Sequence, residues 1–384
     1  MRVAYVCTDP GIPIFGTKGA SIHAQEMLRA FLRRGDEVTL ISPRIDDRAP
    51  ADLAAIRRRP LPPAPKGPDV DARAAWALAT NHSVVASLAA EGPFDLVYER
   101  HALYAHAAME AAAAAGTPAV LELNAPLIEE QTRHRALTRV SEAAESARRA
   151  FSAAGLVAAV SAGAAAYARE HGAPAGHVAI VANGVDAARF APARPRGPFT
   201  VGFLGTLKPW HDTDTLADAF ALLRETVPDA RLLIVGDGPE RSGLEARLER
   251  LGVAAATRFT GAVSPAEVPD WLGQVHVGAA PYHGDRPFYF SPLKLYEYMA
   301  AGLAVVASDV GDLSDVLDGG RLGRLVRAGD AAALAAQLGR LAADPELCMR
   351  LGRAGRAHVV AHHGWDGIAD HVTTQARELA RVRA

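Results

Sequence analysis

One stretch of this chain, residues 288–308, limits the possible folds more than any other, because it specifies a helix and then a strand. Its sequence is FYFSPLKLYEYMAAGLAVVAS. Ser291 and Pro292 favour a helix start, since a serine hydroxyl can cap free backbone N–H groups and proline suits the first turn. Gly302 favours the helix end, and the apolar run 303–307 then predicts a buried parallel strand. Such a unit is typical of α/β proteins.

The rest of the chain repeats this alternation in two series. Strands are predicted at 2–7, 38–42, 94–98, 119–123, 156–161 and 178–181, and again at 199–204, 231–235, 257–260 and 275–280. Helices are predicted at 21–34, 142–154, 213–225 and 365–384. Arg- and Pro-rich residues predict a surface loop at 57–68 and an interdomain linker at 191–198. We therefore predict an α/β fold with two Rossmann-like, doubly wound parallel-sheet domains.

Composition excludes several classes of protein. The chain has 384 residues, too many for one ordinary core, and its 49% hydrophobic and 22% charged residues are typical of a globular protein. A net charge of −2 gives no general attraction to nucleic acid. Two distant cysteines, no signal-peptide pattern and no membrane-spanning run predict a cytoplasmic protein. Peripheral membrane contact and the oligomeric state stay open.

Candidate ligand-binding residues of the second half follow the predicted strands, where open α/β sheets bind ligands. Lys208 and His211 can meet phosphate oxygens. A cation at Lys294, in the first turn of a helix, is unfavourable unless an anion lies nearby. Glu297, about a turn and a half along that helix, can reach a ribose hydroxyl pair while the helix N-terminus holds phosphates. Further backbone contacts to a flat base are predicted at Gly236, Gly238 and Val263.

The sequence predicts no metal site. The D-x-D string 212–214 can hold a metal–nucleotide complex in other proteins, but here it opens a predicted helix. Capping by Asp212 or Thr213 is therefore the favoured interpretation. His362 and His363 lack cysteine or acidic partners at ligand spacing, so we expect them at the surface or in packing.

The first half offers weaker candidates. Arg100 and His101 end the strand 94–98, although a surface turn with a solvated histidine is an equally open interpretation. Asn124 follows the strand 119–123. The long loop 9–20 contains Gly16 but lacks the close glycine spacing of a dinucleotide site, which argues against a nicotinamide oxidoreductase.

In combination these motifs resemble glycosyltransferase family 4. The resemblance is carried by GTKGASIH at 16–23, NGVD at 183–186, GTLKPWH at 205–211, GDGP at 236–239 and SPLKLYEYMAAG at 291–302. It implies the GT-B fold, with an acceptor-side domain at 1–190, a nucleotide-sugar domain at 199–364 and a C-terminal helix, 365–384, that packs back on the first domain. It also implies a retaining, metal-independent hexosyltransferase without a cofactor. The donor would be a nucleoside diphosphate sugar, with UDP favoured over GDP, and the acceptor a hydroxyl of a lipid, polysaccharide or small natural product.

The resemblance also implies roles for individual residues. Glu297 would bind the donor ribose, and Lys208 would neutralise the leaving diphosphate. The implied donor-binding residues are Gly16, Thr206, Lys208, His211, Gly236, Gly238, Val263, Ser291, Pro292, Leu293, Lys294 and Glu297. The implied catalytic residues are Lys208, Glu297, His101 and Arg100. The implied acceptor-side residues are Lys18, His23, His101 and Asn124.

The chain departs from the family pattern at three places. Tyr289 stands where the family has an acidic residue, Thr206 replaces an arginine, and His211 with Asp212 replaces a Lys-Gly pair. Phosphate binding is then expected to depend on Lys208 and on a protonated His211. Since no carboxylate nucleophile is evident, we expect a front-face reaction in which the departing phosphate helps deprotonate the acceptor. A nucleotide-sugar epimerase or hydrolase and a catalytically silent binding module stay open as alternatives.

Overall fold

The structure, a computed structural model, describes residues 1–45, 48–134, 136–193, 195–285, 288–289 and 291–383. The chain forms two compact units. Unit 1 comprises Met1–Asn183, Tyr289–Ser291 and Trp365–Ala384, and unit 2 comprises Gly184–Phe288 and Pro292–Gly364. Phe290 of the helix–strand stretch, Arg194 of the predicted linker and Ala384 of the predicted tail helix lie outside the described residues.

Unit 1 contains a seven-stranded parallel sheet in the order β3-β2-β1-β4-β5-β6-β7. Its strands are β1 (Arg2–Cys7), β2 (Glu37–Ser42), β3 (Arg57–Pro60), β4 (Leu96–Arg100), β5 (Ala119–Leu123), β6 (Leu156–Ala159) and β7 (Val178–Ile180). Its first helices are α1 (Gly19–Arg33), α2 (Val70–Glu91), α3 (Ala107–Ala114), α4 (Leu127–His134), α5 (Val140–Ala153) and α6 (Ala162–Glu170). The C-terminal helix Trp365–Arg383, which is α14 in chain order, packs against α1.

Both faces of this sheet are buried, as a parallel sheet requires. In β1, Val3 and Tyr5 lie in the core that includes residues of α1 and α14, whereas Ala4 and Val6 lie in the core of the opposite face. The continuous apolar runs that predicted these strands reflect this double burial.

Strand β3 corrects the predicted surface loop at 57–68. Arg57–Pro60 pairs in parallel with β2, and all four residues are exposed. Only β2 flanks this edge strand, so backbone pairing forms it without any buried side chain. The hydrophobic pattern therefore carried no signal for it.

Unit 2 contains a six-stranded parallel sheet in the order β10-β9-β8-β11-β12-β13. Its strands are β8 (Thr200–Leu204), β9 (Arg231–Val235), β10 (Thr257–Phe259), β11 (Val277–Ala280), β12 (Ala304–Ser308) and β13 (Arg324–Val326). Its helices are α7 (Thr213–Thr226), α8 (Arg241–Arg250), α9 (Val268–Leu272), α10 (Leu293–Ala300), α11 (Leu313–Val316), α12 (Ala331–Ala343) and α13 (Pro345–His362). The predicted class, with two Rossmann-like parallel sheets, is confirmed.

The strand order of unit 2 reverses between β8 and β11. A crevice forms at such a switch point outside the carboxyl ends of the strands. The loop from Gly205 leaves β8 there, and the segment leading to α10 follows β11. The fold thus brings two of the predicted motifs to one place.

Within the described residues, no helix combines the length and the apolar character needed to cross a membrane.

Candidate active site

Helix α10 begins without a side-chain cap. It starts at Leu293, and the flanking residue Pro292 makes no capping hydrogen bond. Ser291 was expected to cap this helix, but its Oγ accepts a hydrogen bond from the backbone N–H of Asn183 at 3.2 Å. The capping prediction for Ser291 is wrong. Among the described residues no side chain caps the start of α10, and only the N–H of Leu295 in its first turn has a backbone acceptor, the carbonyl oxygen of Pro292 at 2.9 Å. The predicted helix end is confirmed, since Gly302 has φ +71°.

Lys294 lies in the first turn of α10 with a buried, unpaired amine. The residue is 7% exposed, and within the described residues its Nζ has no hydrogen-bond partner. Nζ lies 4.1 Å from the ring centre of Phe203 and 5.4 Å from that of Tyr282. Burial lowers the pKa of Lys294 from 10.5 to about 7, against the opposing effect of the Glu297 carboxylate.

Glu297 lies one turn further along α10 and is partly exposed. Burial raises its pKa from 4.5 to about 7, and the charges of Arg189 and Lys294 act in the opposite direction. Arg189 donates a hydrogen bond to the carbonyl oxygen of Pro265 at 2.5 Å. Sequence reasoning missed Arg189, although it closely follows the NGVD turn at 183–186. The Lys294 amine and the Glu297 carboxylate thus act on each other electrostatically along one helix, and burial shifts the pKa of each to about 7.

The loop after β8 lies over Lys294. A Cβ added at Gly205 would lie 3.4 Å from the Lys294 Nζ. His211 is buried, and its Nδ1 lies 2.7 Å from the carbonyl oxygen of Thr206, to which it donates. Burial and then the charge of Lys294 lower the pKa of His211 to about 3. The expected protonated His211 is therefore corrected to a neutral imidazole, and the Thr206 side chain is exposed.

The glycines of GDGP pack against that same loop. A Cβ at Gly236 would collide with the carbonyl oxygen of Gly205, and one at Gly238 with that of Leu207. Gly236 has φ +141°, which also favours glycine. An antiparallel bridge between Gly236 and Gly261 brings the segment before the partly exposed Val263 alongside. Close packing of loops thus explains the two glycines, while their predicted contacts to a base stay predictions.

Lys208 is partly exposed at the other side of this loop. Its Nζ lies 5.8 Å from the ring centre of Trp210. It lines a cleft of about 240 Å³ together with Thr213, Glu240 and His283. Lys208 is the only lysine or arginine in the sequence of the Gly205 loop, from 205 to 211, and therefore its only permanent positive charge.

The D-x-D string behaves as predicted at the start of α7. Asp212 caps the helix, because its carboxylate accepts from the backbone N–H of Thr215 at 3.4 Å and from the Thr215 hydroxyl at 2.8 Å. Among the residues that the structure describes, no three His, Cys, Asp or Glu side chains are grouped to hold a metal ion. His363, expected in packing, lies with its ring 4.5 Å from that of Tyr296.

In unit 1, a buried carboxylate that sequence reasoning missed joins three predicted residues. Glu122 is 3% exposed, and its Oε1 accepts hydrogen bonds from Arg100 at 2.5 Å and from the side-chain amide of Asn124. Its Oε2 accepts from the Tyr98 hydroxyl at 2.5 Å and lies 2.9 Å from His23 Nε2. Burial acts to raise the pKa of Glu122, but His23 and Arg100 hold it well below its usual value. A glutamate inside the apolar run of β5 was the available signal.

His101 lies apart from this network. Its ring is 5.0 Å from that of Phe151, on the sheet face opposite to Glu122. Burial lowers its pKa to about 4, and its Nδ1 has no partner among the described residues. The alternative of a solvated surface histidine is therefore wrong. The expected pair of Arg100 and His101 is not brought together, because Arg100 is already bound to Glu122 on the other face.

The loop before α1 is fastened to the helix. Gln25 Nε2 donates to the carbonyl oxygens of Ile14 and Gly16 at 2.9 and 2.8 Å, and the Gly16 N–H donates to Pro13 at 3.0 Å. Lys18 is exposed at the N-terminus of α1. The phosphate contact of Gly16 and the acceptor contact of Lys18 stay predictions.

Tyr289 is held by its backbone. Its carbonyl oxygen accepts a hydrogen bond from the Ser161 hydroxyl at 2.5 Å. Burial raises the pKa of its phenol, and Glu130 of α4 adds to that rise while Arg133 opposes it. The carboxylate of Glu130, on α4, thus acts electrostatically on Tyr289.

Comparison with known proteins gives consistent matches over both halves of the chain. The family described as Glycosyltransferase Family 4 matches residues 17–189, and the family described as Glycosyl transferases group 1 matches residues 198–344. The D-inositol 3-phosphate glycosyltransferase of Streptomyces avermitilis is 32% identical over 337 residues, which cover 79% of this chain and 71% of that protein.

Solved structures share the fold over nearly the full length. Sucrose-phosphate synthase from Thermosynechococcus elongatus has a TM-score of 0.74 at 20% identity, and 99% of each chain is covered. HepE of Anabaena, solved in complex with UDP, has a TM-score of 0.73 at 19% identity, and 98% of this chain and 100% of that chain are covered.

Proposed function

The chain belongs to glycosyltransferase family 4 and is a glycosyltransferase of the GT-B fold, and from this membership we propose a specific reaction. It transfers a sugar from a nucleoside diphosphate sugar to a hydroxyl acceptor, with retention of the anomeric configuration and without a metal ion or cofactor. We propose UDP as the donor nucleotide, ahead of GDP. A cytoplasmic location and a peripheral membrane contact stay predictions.

One observation supports the donor site above all: the uncapped start of α10, with a buried amine in its first turn and a carboxylate one turn later. The free N–H groups and the positive dipole end favour a diphosphate. Lys294 adds an unpaired basic group at that end of the helix. Glu297 is spaced along the same helix so that its carboxylate accepts from the ribose hydroxyls.

The names of two similar proteins support the choice of substrates. HepE was solved with UDP, which favours a uridine nucleotide here, and the S. avermitilis relative is named for D-inositol 3-phosphate, which favours a polyol acceptor. A hydroxyl of a lipid or polysaccharide is the further acceptor class that we propose to test.

The proposed chemistry is electrostatic. The bond between the anomeric carbon and the diphosphate breaks, and the acceptor oxygen forms its bond on the same face of the sugar. The departing phosphate oxygen takes the acceptor's proton. Lys208 and the N–H groups of α10 stabilise the negative charge that develops on the diphosphate. Isolation of a covalent glycosyl-enzyme would contradict this route.

The test combines binding and turnover. Calorimetric titration of the full chain with UDP, GDP and ADP should give the tightest binding for UDP. Incubation with UDP-glucose, EDTA and myo-inositol 3-phosphate, followed by NMR, should then show an α-linked product. Binding of none of the three nucleotides would refute the proposed function, and a β-linked product would refute retention.

A further inference from the structure

The cations that could hold a diphosphate above β8 are few. The resemblance places an arginine at Thr206 and a lysine at His211, but the Thr206 side chain is uncharged and His211 is a neutral imidazole whose Nδ1 is bound to the Thr206 carbonyl oxygen. Lys208 is partly exposed and lies towards Trp210. No residue of the loop itself therefore supplies a buried positive charge beneath it.

Lys294 approaches the same place from below. Its stem passes under the Gly205 loop, where Nζ and Cε would lie 3.4 and 3.5 Å from a Cβ at Gly205. Gly205 has φ +131° and carries no Cβ, so only a hydrogen atom on its Cα faces the amine. The ring centres of Phe203 and Tyr282 lie 4.1 and 5.4 Å from the same Nζ. Since Nζ has no hydrogen-bond partner among the described residues, a ligand oxygen that reaches it from the side of the loop would be its first strong partner.

We infer that Lys294 is a proton-coupled anchor for the donor diphosphate, which takes up one proton when the diphosphate binds and loses it when the nucleoside diphosphate leaves. The inference rests on the proposed function and adds to it a phosphate contact that comes from the helix core. The resemblance implies only that Lys294 is a donor-binding residue, and the inference assigns the phosphate contact to its side-chain amine.

The surroundings of Lys294 decide the direction of the proton transfer. Among the residues that the structure describes, the titratable groups that face it are His211 on the loop, Tyr282 after β11 and Glu297 one turn along α10. His211 is neutral at neutral pH, burial raises the pKa of Tyr282 so that its phenol is also neutral, and Glu297 is only partly ionised at pH 7. None of them supplies a full counter-charge, so a diphosphate is the strongest available partner, and the proton comes from the solvent.

The test is a calorimetric titration of the full chain with UDP at pH 8, in two buffers that differ in ionisation enthalpy. Burial lowers the pKa of free Lys294 to about 7, so the amine is mostly unprotonated at pH 8, and a bound diphosphate makes it an ammonium. We expect uptake of close to one proton per UDP. Between pH 7.5 and 8.5 the UDP affinity should fall by about tenfold per pH unit.

Two variants distinguish the contribution of Lys294 to UDP binding from that of Lys208. Lys294→Met should weaken UDP binding by about 10- to 100-fold at pH 7.5, remove the proton uptake and flatten the pH dependence. Its affinity for uridine, which has no phosphate, should stay unchanged. Lys208→Met, the matched control, should weaken UDP binding while proton uptake continues.

The possible failures are distinguishable. Wild-type chain that binds none of UDP, GDP and ADP would refute the proposed function and this inference together. Wild-type chain that binds UDP without proton uptake would refute the inference alone. Proton uptake that persists in Lys294→Met would do the same, even if the variant has lost affinity.

Discussion

At the scale of single residues, Glu122 is the most heavily hydrogen-bonded carboxylate of the candidate site in unit 1. Four side chains, those of His23, Tyr98, Arg100 and Asn124, contact its two oxygens. A carboxylate buried in this way is stable only as long as its positive partners remain, because removing one member leaves an uncompensated charge. The network therefore fixes the positions of His23 and Asn124, which the resemblance assigned to the acceptor side, and of Arg100, which it assigned to catalysis.

Substituting Glu122→Gln should destabilise the protein by about 3–5 kcal/mol, because Arg100 is then buried without its anion. The pKa of Glu122 is lowered in the folded state, so its contribution is present above the unfolded value of 4.5 and is lost as the pH falls. Urea unfolding at pH 7 and pH 4 should show the largest loss at pH 7. The control is Glu110→Gln, which breaks a half-exposed pair with Arg149 and should cost about 0–1 kcal/mol. Equal effects of the two variants would contradict the role of Glu122.

Glu297 predicts a pH dependence of ribose binding. Burial raises its pKa to about 7, and the ionised carboxylate accepts stronger hydrogen bonds from the two ribose hydroxyls than the protonated acid, in which one oxygen carries a proton. Uridine affinity should therefore rise between pH 5.5 and pH 8, and Glu297→Gln should weaken it and make it nearly independent of pH. Uridine is the suitable probe, because it carries no phosphate that titrates in this range. A pH dependence that is unchanged in Glu297→Gln would remove the carboxylate from the ribose site.

At the scale of elements, the donor site depends on how closely the loops after β8 and β9 pack. The backbone N–H of Leu207 donates to the carbonyl oxygen of Asp237 at 2.9 Å, and the glycines on either side of Asp237 leave room for this contact. Lys208 follows directly in the chain. The packing of two loops therefore fixes the segment that carries the proposed phosphate contact.

Gly238→Ala should disturb this packing, because its Cβ would collide with the carbonyl oxygen of Leu207. We expect a loss of about 1–3 kcal/mol in stability and a weaker UDP affinity, since the loop must move. The matched control is Gly243→Ala in α8, where a Cβ meets no atom within 4 Å. This exposed helical position should gain about 0.5–1 kcal/mol and keep its UDP affinity. Unfolding curves and UDP titrations of both variants check the two expectations.

The sequence predicted elements better than it predicted charge states. Parallel strands are buried on both faces and therefore have continuous apolar runs, so most strands could be predicted from the sequence. Because ligand sites of open α/β sheets lie at the carboxyl ends of the strands, His211 was also correctly placed near Lys294. The edge strand Arg57–Pro60 lacks that signal, because its side chains are exposed. The neutral state of His211 depends on burial beneath a loop and on the approach of Lys294 from a distant helix, and neither is readable from local sequence.

The same limit explains the missed contacts. The partners of Glu122 lie on α1, on β4 and after the end of β5. The positive charge of Arg189 acts on Glu297 although the two residues are far apart in the sequence. The local sequence identifies such residues only as polar side chains at positions where apolar ones are expected. Their contacts depend on the register of the strands, which brings together residues that are distant in the sequence.

At the scale of the whole molecule, each unit has its own hydrophobic core around a parallel sheet, and the proposed donor site keeps a basic group inside one of them. A buried amine without a partner lowers the stability of the empty protein. We propose that this cost is retained because the diphosphate removes it on binding. Stability and donor affinity should therefore respond in opposite directions to loss of Lys294.

Lys294→Met should accordingly stabilise the ligand-free chain while it weakens UDP binding. An apolar side chain of similar length keeps the packing on Phe203 and Tyr282, and the expected gain is about 1–4 kcal/mol. Because the pKa of Lys294 is lowered to about 7 in the folded state, the folded protein binds fewer protons than the unfolded chain between pH 7 and 10.5, and wild-type stability rises with pH over that range. The gain of the variant should thus be largest at pH 6.5 and smaller at pH 9.5.

Urea unfolding measures this gain, and the relevant transition is the one that added UDP shifts in the wild type. In the control, Lys208→Met should change the free energy of unfolding by less than about 0.5 kcal/mol at either pH. If Lys294→Met is instead less stable than the wild type at pH 6.5, the amine has a structural partner in the folded protein and its burial is not a cost that donor binding removes.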